Sequence, residues 1–228
     1  MEKNLLDVYN NCPIPKKELL LNLGLFLSKR GLARLLYMDH IYKKIIELHG
    51  IIIEFGARWG QNLALFETLR GVYEPFNANR KIIGFDTFEG FLSPSEQDGN
   101  ATKGSFGVTK GYESYLIELL ATQEKEGPLL SKRCVVIKGD APIELEKYLN
   151  DHPETLVSLA YFDLDLYEPT RACLELIKDY MVKGGIIGFD ELNDERWPGE
   201  TIAMKEVLGS NRLIHTLYSS SRSYLVRN

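Results

Sequence analysis

The sequence predicts an α/β fold: a mostly parallel sheet, doubly wound by helices on both faces, ending in an antiparallel hairpin. Two observations lead there. From residue 50 onward, short continuous apolar runs alternate with amphipathic stretches, the pattern of strands buried on both faces between crossover helices. Near the C-terminus, two short apolar runs lie close enough in sequence to pair as a hairpin.

Residues 1–48 read as a helical layer ahead of that alternation. Pro13 and Pro15 separate a short first helix from two longer ones. Residues 16–28 place Leu19, Leu20, Leu23, Phe26 and Leu27 on one apolar face. Residues 32–48 repeat the pattern with Leu35, Leu36, Ile41, Ile45 and Ile46. Such a layer covers a ligand, forms a subunit contact or simply caps the sheet.

The first strand, Gly50-Ile51-Ile52-Ile53-Glu54-Phe55-Gly56, enters a glycine turn followed by a helix over 61–69. Strands then follow at 81–86, 133–138, 156–163 and 185–190, alternating with helices at 112–122, 142–149 and 170–181. A last helix over 201–208 leads into the hairpin runs 212–217 and 223–227. Five parallel strands plus a terminal hairpin make seven, the outline of the methyltransferase variant of the doubly wound, Rossmann-like fold. At 228 residues the chain is read as one domain, a helical cap at 1–48 on a catalytic core at 49–228.

Composition narrows the partners. Hydrophobic residues make up 44% and charged residues 26%, as in a globular protein with a sizeable core. A net charge of -5 gives no general attraction to nucleic acid or acidic membrane, so neither is expected as a partner. Cys12, Cys134 and Cys173 are far apart and form no C-x-x-C pair; Cys134 and Cys173 read as buried small hydrophobes in a reducing, cytoplasmic setting. The first residues lack a signal peptide's apolar core, and no run of about 18 apolar residues is present to span a membrane.

In doubly wound sheets, ligands bind outside the carboxyl ends of the strands. Five acids stand at or near such ends: Glu54, Asp86, Asp140, Asp163 and Asp190. Glu54-Phe55-Gly56-Ala57-Arg58-Trp59-Gly60 is E-x-G-x-x-x-G, not the dinucleotide G-x-G-x-x-G. Gly56 permits close backbone approach, Gly60 lets the next helix start tight against the strand, and the free amides there suit a carboxylate. Asp86 ends the second strand, where an acid bonds ribose hydroxyls. Its distance from Glu54 exceeds the usual ~20 residues, which an inserted loop over 71–80 would explain. Asp140 either reaches the adenine end or caps the helix that Pro142 begins. Arg58 and Thr87 complete the candidate cofactor-binding set with Glu54, Gly56, Gly60, Asp86 and Asp140.

The chemistry is expected on the next two strands. Tyr161-Phe162-Asp163-Leu164-Asp165-Leu166-Tyr167 places Asp163 and Asp165 on one side of the pleat. Asp190-Glu191 ends the neighbouring strand, about 4.8 Å away. Carboxylates this crowded repel unless protonated or neutralised by a cation, and hard oxygen ligands suit Mg²⁺ or Ca²⁺ over zinc. A divalent cation could orient a substrate diol and lower the pKa of one hydroxyl, so that a neighbouring carboxylate takes its proton. Methyl transfer is then mostly a positioning task. Asp165 and Glu191 also read as exposed loop acids.

The motifs resemble a known family. Gly84-Phe85-Asp86-Thr87-Phe88-Glu89-Gly90, Phe162-Asp163-Leu164-Asp165-Leu166-Tyr167-Glu168-Pro169-Thr170, and Lys183-Gly184-Gly185 leading to Asp190-Glu191 are similar to the macrocin O-methyltransferase family. Trp197-Pro198-Gly199-Glu200, followed by Ala203-Met204, looks like the branch that acts on TDP-rhamnose. The resemblance runs from about residue 51 to the C-terminus. It implies a cytoplasmic, homo-oligomeric enzyme that uses S-adenosylmethionine, usually with Mg²⁺, to methylate a hydroxyl of a sugar or nucleotide-linked deoxysugar. It also implies Asp163, Asp190 and Glu191 as metal ligands, with Glu191 standing where the family more often has Asp. Asp163 and Asp165 are the candidate catalytic acids.

Residues 91–110 are polar and glycine-rich and read as a lid over the substrate. Lys103, Lys110 and Arg196 are candidates for a diphosphate, or solvated surface charges. Trp59 and Trp197 stack on adenine or sugar, or pack locally. His152 and His215 read as surface and core histidines. The rival readings are a nicotinamide oxidoreductase, against which the missing G-x-G-x-x-G weighs, a catechol-type metal-dependent methyltransferase, and a non-catalytic nucleotide-binding protein.

Overall fold

The computed structural model describes residues 4–128, 132–209, 213–218 and 221–227. Its strands are β1 (Ile51–Phe55), β2 (Ile82–Asp86), β3 (Cys134–Lys138), β4 (Val157–Phe162), β5 (Met181–Phe189), β6 (Ile214–His215) and β7 (Ser223–Val226). They form one sheet in the order β3-β2-β1-β4-β5-β7-β6. The first five are parallel, and β7 runs antiparallel to both β5 and β6. The strand order reverses between β1 and β4, where a crevice opens at the carboxyl ends.

The helices are α1 (Leu5–Asn10), α2 (Lys16–Leu19), α3 (Lys29–Lys43), α4 (Gln61–Tyr73), α5 (Tyr112–Glu124), α6 (Ala141–Asp151), α7 (Tyr167–Ile177) and α8 (Gly199–Leu208). Successive strand residues face opposite sides. Ile53, Phe55, Phe162 and Phe189 therefore join a core with Leu145, Leu174 and Met204 of α6–α8. Ile52, Leu159 and Tyr161 join a second core with Tyr37, Ile41, Phe66 and Leu116 of α3–α5. Phe85, Phe55, Phe162 and Phe189 form a row across four strands, with ring centroids 5.5, 4.7 and 5.5 Å apart. Cys134 and Cys173 are buried free thiols within these cores.

Four local expectations change. Residues 16–28 are not one amphipathic helix: α2 is a single turn, and Leu20–Phe26 wind as a 3-10 helix. Leu20 and Leu21 are 76% and 89% exposed, so no packing supports a longer helix there, and Gly24 weakens it. Helix α3 begins at Lys29 rather than residue 32, because the Ser28 hydroxyl caps it by accepting from the Gly31 amide at 3.0 Å. Helix α7 begins three residues before its expected start. Pro169 is tolerated as the third residue of the first turn, where an amide has no helical partner.

The fourth concerns 71–80, which is not a free insertion. Helix α4 runs to Tyr73, and the buried Arg80 pairs with Glu74 while donating to the carbonyls of Ile45, Leu48 and Gly50. Of the predicted hairpin, residue 212 lies outside the described residues. Among the described residues, no helix is long and apolar enough to cross a membrane.

Candidate active site

A cavity of about 1010 Å³ opens at the carboxyl ends of the sheet. Residues at or just after the ends of all five parallel strands line it: Gly56–Trp59, Phe85–Thr87, Gly139–Pro142, Asp163–Leu166 and Asp190–Glu191. Arg30 and Arg34 of α3 close one side, and Phe91, Phe106 and Trp197 another. The N-terminal helical layer thus covers this cavity as well as packing on the sheet.

On the β1–β3 side, Gly56 has φ +86, and a Cβ there would overlap the Asp163 carbonyl, so only glycine lets the two strand ends meet. The Asp86 carboxylate accepts from the Arg58 amide at 2.7 Å and the Phe88 amide at 2.5 Å. Burial lifts its carboxyl above the ordinary range, and these two amides pull it back in part. Arg58, at φ 49, lays its guanidinium over Phe106 at 4.9 Å. The Thr87 hydroxyl donates to the Gly90 carbonyl at 2.9 Å and holds the turn. Asp140 occupies the N-cap position of α6, yet its side chain makes no capping hydrogen bond and faces the cavity wall.

Glu54 and Gly60, expected beside the cofactor, do not line the cavity. The Glu54 carboxylate is buried beneath it and accepts from Asn62 at 2.8 Å; Asn62 is the residue that lines the wall. Alternation along β1 turns Glu54 to the face covered by α3–α5, where Asn62 of α4 meets it. Gly60 sits at φ 72 as the N-cap of α4, where a Cβ would collide with Leu116.

On the β4–β5 side the four acids come together, though not as the pleat suggested. Strand β4 ends at Phe162, and Asp165 lies beyond it in a left-handed turn at φ 60. Burial raises the Asp163 carboxyl well above the ordinary range, reinforced by Asp190 and Asp165. Burial, then Glu191 and Asp190, push Asp165 up to about 7. Glu191 is raised by burial and by Asp190. Asp190, 4% exposed, accepts from Arg222 Nε at 2.6 Å and from the Tyr161 hydroxyl at 2.7 Å, and Arg34 stands 3.6 Å away.

Sequence reasoning missed Arg34, Arg222 and Tyr161 as partners of Asp190. The first two come from the N-terminal layer and the segment before β7, and no local pattern announces such distant pairing. Of the diphosphate candidates, Arg196 lines the cavity but is paired with Asp194 at 2.6 Å. Lys110 lines a separate hollow, Lys103 is exposed, and His152 and His215 stand away from the cavity. Trp59 and Trp197 both line it, Trp59 edge-on to Tyr112 at 4.7 Å.

The donor set of Asp163, Asp165, Asp190 and Glu191 suits a hard divalent cation: oxygen only, mutually repelling and facing a cavity. The Asp163, Asp190 and Glu191 oxygens are not all drawn within 4.8 Å of one another. Among the described residues the one such group is Glu67, Glu124 and Cys134. There Arg70 neutralises Glu67, and backbone amides of Arg133 and Cys134 occupy Glu124, so it reads as a structural network.

No family model matches the chain, and no curated protein matches it. Solved structures do. The crystal structure of CalS11, calicheamicin methyltransferase, is 43% identical over 97% of this chain and 89% of that one, with a TM-score of 0.92. The apo structure of CalS11, TDP-rhamnose 3'-O-methyltransferase, an enzyme in calicheamicin biosynthesis, is 41% identical over 97% and 90%, at 0.86. The O-methyltransferase NovP, 18% identical over 87% and 81% at 0.62, shares the fold. With its cavity at the switch point of a seven-stranded methyltransferase sheet, the chain is an O-methyltransferase and belongs to the CalS11 family.

Proposed function

We propose that the protein transfers the methyl group of S-adenosylmethionine to a hydroxyl of a nucleotide-linked deoxysugar of the TDP-rhamnose kind. The observation that carries this reading is the four-acid cluster facing a cavity that stands at the upper end of the usual ~300–1,000 Å³. Such a space suits a cofactor and a second ligand together. Identity of 43% to CalS11 across nearly the whole chain supports the substrate class.

S-adenosylmethionine supplies an electrophilic methyl on a sulfonium. This chain's part is to seat it along Gly56–Arg58, Asp86 and Thr87, with Asp140 toward the adenine end. Asp163, Asp190 and Glu191 would hold a divalent cation, which would acidify the acceptor hydroxyl when bound. One carboxylate, that of Asp163 or Asp165, takes the hydroxyl proton, leaving an oxygen nucleophile aimed at the methyl. Arg222 and Tyr161 hold the Asp190 carboxylate in one orientation, so the acids converge from two strand ends without rotating apart. Leu20 and Leu21, apolar and exposed, support assembly into a homo-oligomer, testable by light scattering.

The decisive experiment is turnover of TDP-rhamnose and of a catechol with S-adenosylmethionine, each with and without a chelator. Methylation of the sugar nucleotide that a chelator abolishes is expected. Methylation of the catechol alone would sink the substrate assignment, and chelator-insensitive turnover would sink the metal role.

A further inference from the structure

The segment expected to be a lid holds a buried acid, Asp98, that does not line the cavity. Asp98 is 1% exposed, although it ends a one-turn 3-10 helix, Glu96–Asp98, in the polar stretch 91–110. Its Oδ2 stays within the segment, accepting from the Ser95 amide at 2.6 Å and the Ser95 hydroxyl at 2.7 Å. Its Oδ1 reaches out of the segment and accepts from the Tyr167 amide at 2.6 Å.

That amide is the first of α7, whose own N-cap residue, Leu166, has no side chain able to accept it. A carboxylate from the lid thus supplies the cap that the local sequence lacks, and negative charge at a helix start is stabilising. Tyr167 follows Asp165 by two residues. Asp165 sits at φ 60, a conformation a non-glycine residue keeps only where its surroundings impose it.

The same carboxylate presses on the start of α8. A Cβ at Gly199 would collide with Asp98 Oδ1, the Tyr167 amide and the Asp165 carbonyl. Glu200, next in the chain and fully buried, faces the Glu191 amide at 3.5 Å. The lid is fastened to this place twice more: the Asn100 amide donates to the Arg196 carbonyl at 3.1 Å, and Phe91 meets the Trp197 ring at 6.1 Å.

We propose that Asp98 is a positioning residue that makes the geometry of the Asp163–Asp165 turn conditional on the seating of the lid. With the lid seated, Asp98 holds the Tyr167 amide and the left-handed turn at Asp165 is braced. With the lid lifted, that bond is lost and the acid is no longer aimed. Proton removal from the acceptor is thereby confined to the covered cavity. This inference rests on the assignment of Asp163 and Asp165 given above.

The test uses the full chain with Asp98→Ala, Asp98→Asn and Gly199→Ala, reading kcat and KM with TDP-rhamnose and affinity for S-adenosylhomocysteine. A misplacement of about 1 Å at the chemistry costs roughly 10²-fold, so D98A is expected to lower kcat by about 100-fold. Cofactor affinity and acceptor KM should stay within about threefold, because Gly56–Arg58 and Asp86 are untouched. D98N keeps an acceptor for the Tyr167 amide and should recover about tenfold of the loss. G199A should lower kcat with Asp98 still present, by crowding its carboxylate together with the Tyr167 amide and the Asp165 carbonyl.

Wild-type kcat in D98A, D98N no better than D98A, or kcat and cofactor binding lost together would each overturn the proposal. If D98A does not fold, D98N and G199A decide, and near-wild-type kcat in both overturns it. Hydrogen exchange at the Tyr167 amide gives a reading independent of turnover: about tenfold faster in G199A supports the latch, unchanged overturns it. Full activity in Asp165→Asn sinks the acid assignment instead; an inactive D165N beside a fully active G199A sinks only the latch.

Discussion

The sheet buries charge at both of its ends and treats it differently. At the amino ends of the strands, Arg80 is 1% exposed and fully engaged. It meets Glu74 with two nitrogens at 3.0 Å, Ser158 Oγ at 2.7 Å and three backbone carbonyls. Burial would raise Glu74, but hydrogen bonds from Arg80, Tyr42 and Asn77 outweigh it and hold the carboxyl below its ordinary range. At the carboxyl ends, Asp163, Asp165 and Glu191 are all pushed up by burial and by neighbouring carboxylates, Asp190 acting on all three. One cluster is balanced and serves the fold. The other keeps an excess of negative charge beside a cavity, where a ligand can balance it.

The contrast can be broken from either side. The largest effect is expected for Arg80→Ala, which leaves Glu74 buried without its cation; such a loss costs about 3–5 kcal/mol. Urea unfolding should show it, with cofactor affinity of the folded fraction kept, and a loss under ~1 kcal/mol would erase the distinction. Next comes Asp165→Asn, expected to lower kcat by about 10²-fold or more while leaving the urea midpoint unchanged or higher, since a repulsion is removed. A fall in stability with turnover intact would reverse the two roles.

The smallest effect concerns Glu54, which lies between the two clusters and is pushed up to about 8, chiefly by burial and against the Asn62 hydrogen bond. An unfolded Glu titrates near 4.5, so between that value and about 8 the folded chain holds a proton that the unfolded chain has lost. Stability therefore falls as pH rises through this window. In Glu54→Gln that contribution is gone, and Tm measured from pH 5 to 8 should decline less steeply than in the wild type. Parallel curves would show that Glu54 is ionised in the folded state.

Much of this was legible beforehand because it depends on local pattern. Short apolar runs such as Ile51–Ile53 read as strands covered on both faces, and their alternation with helices makes those strands parallel. Asp86, Asp163 and Asp190 stand out because the chemistry of such sheets collects at strand ends. Other residues show where pattern stops. Glu54 occupies a strand end, yet its carboxylate is buried against Asn62 and does not line the cavity. Residues 16–28 carry a helical apolar face with nothing packed on it. Arg80 looks like a loop residue and is the most heavily bonded cation described above.

The sequence by itself determined the fold class, the succession of strands along the chain and the acids that crown them, since these follow from periodicity and from where each run ends. Only the tertiary structure decided which acids are compensated. That depends on cations and amides brought from far away: Arg34 and Arg222 to Asp190, Arg80 to Glu74, and the Tyr167 amide to Asp98, 69 residues off. Coulomb and hydrogen-bond energies depend on distance in space, and separation along the chain carries no record of it.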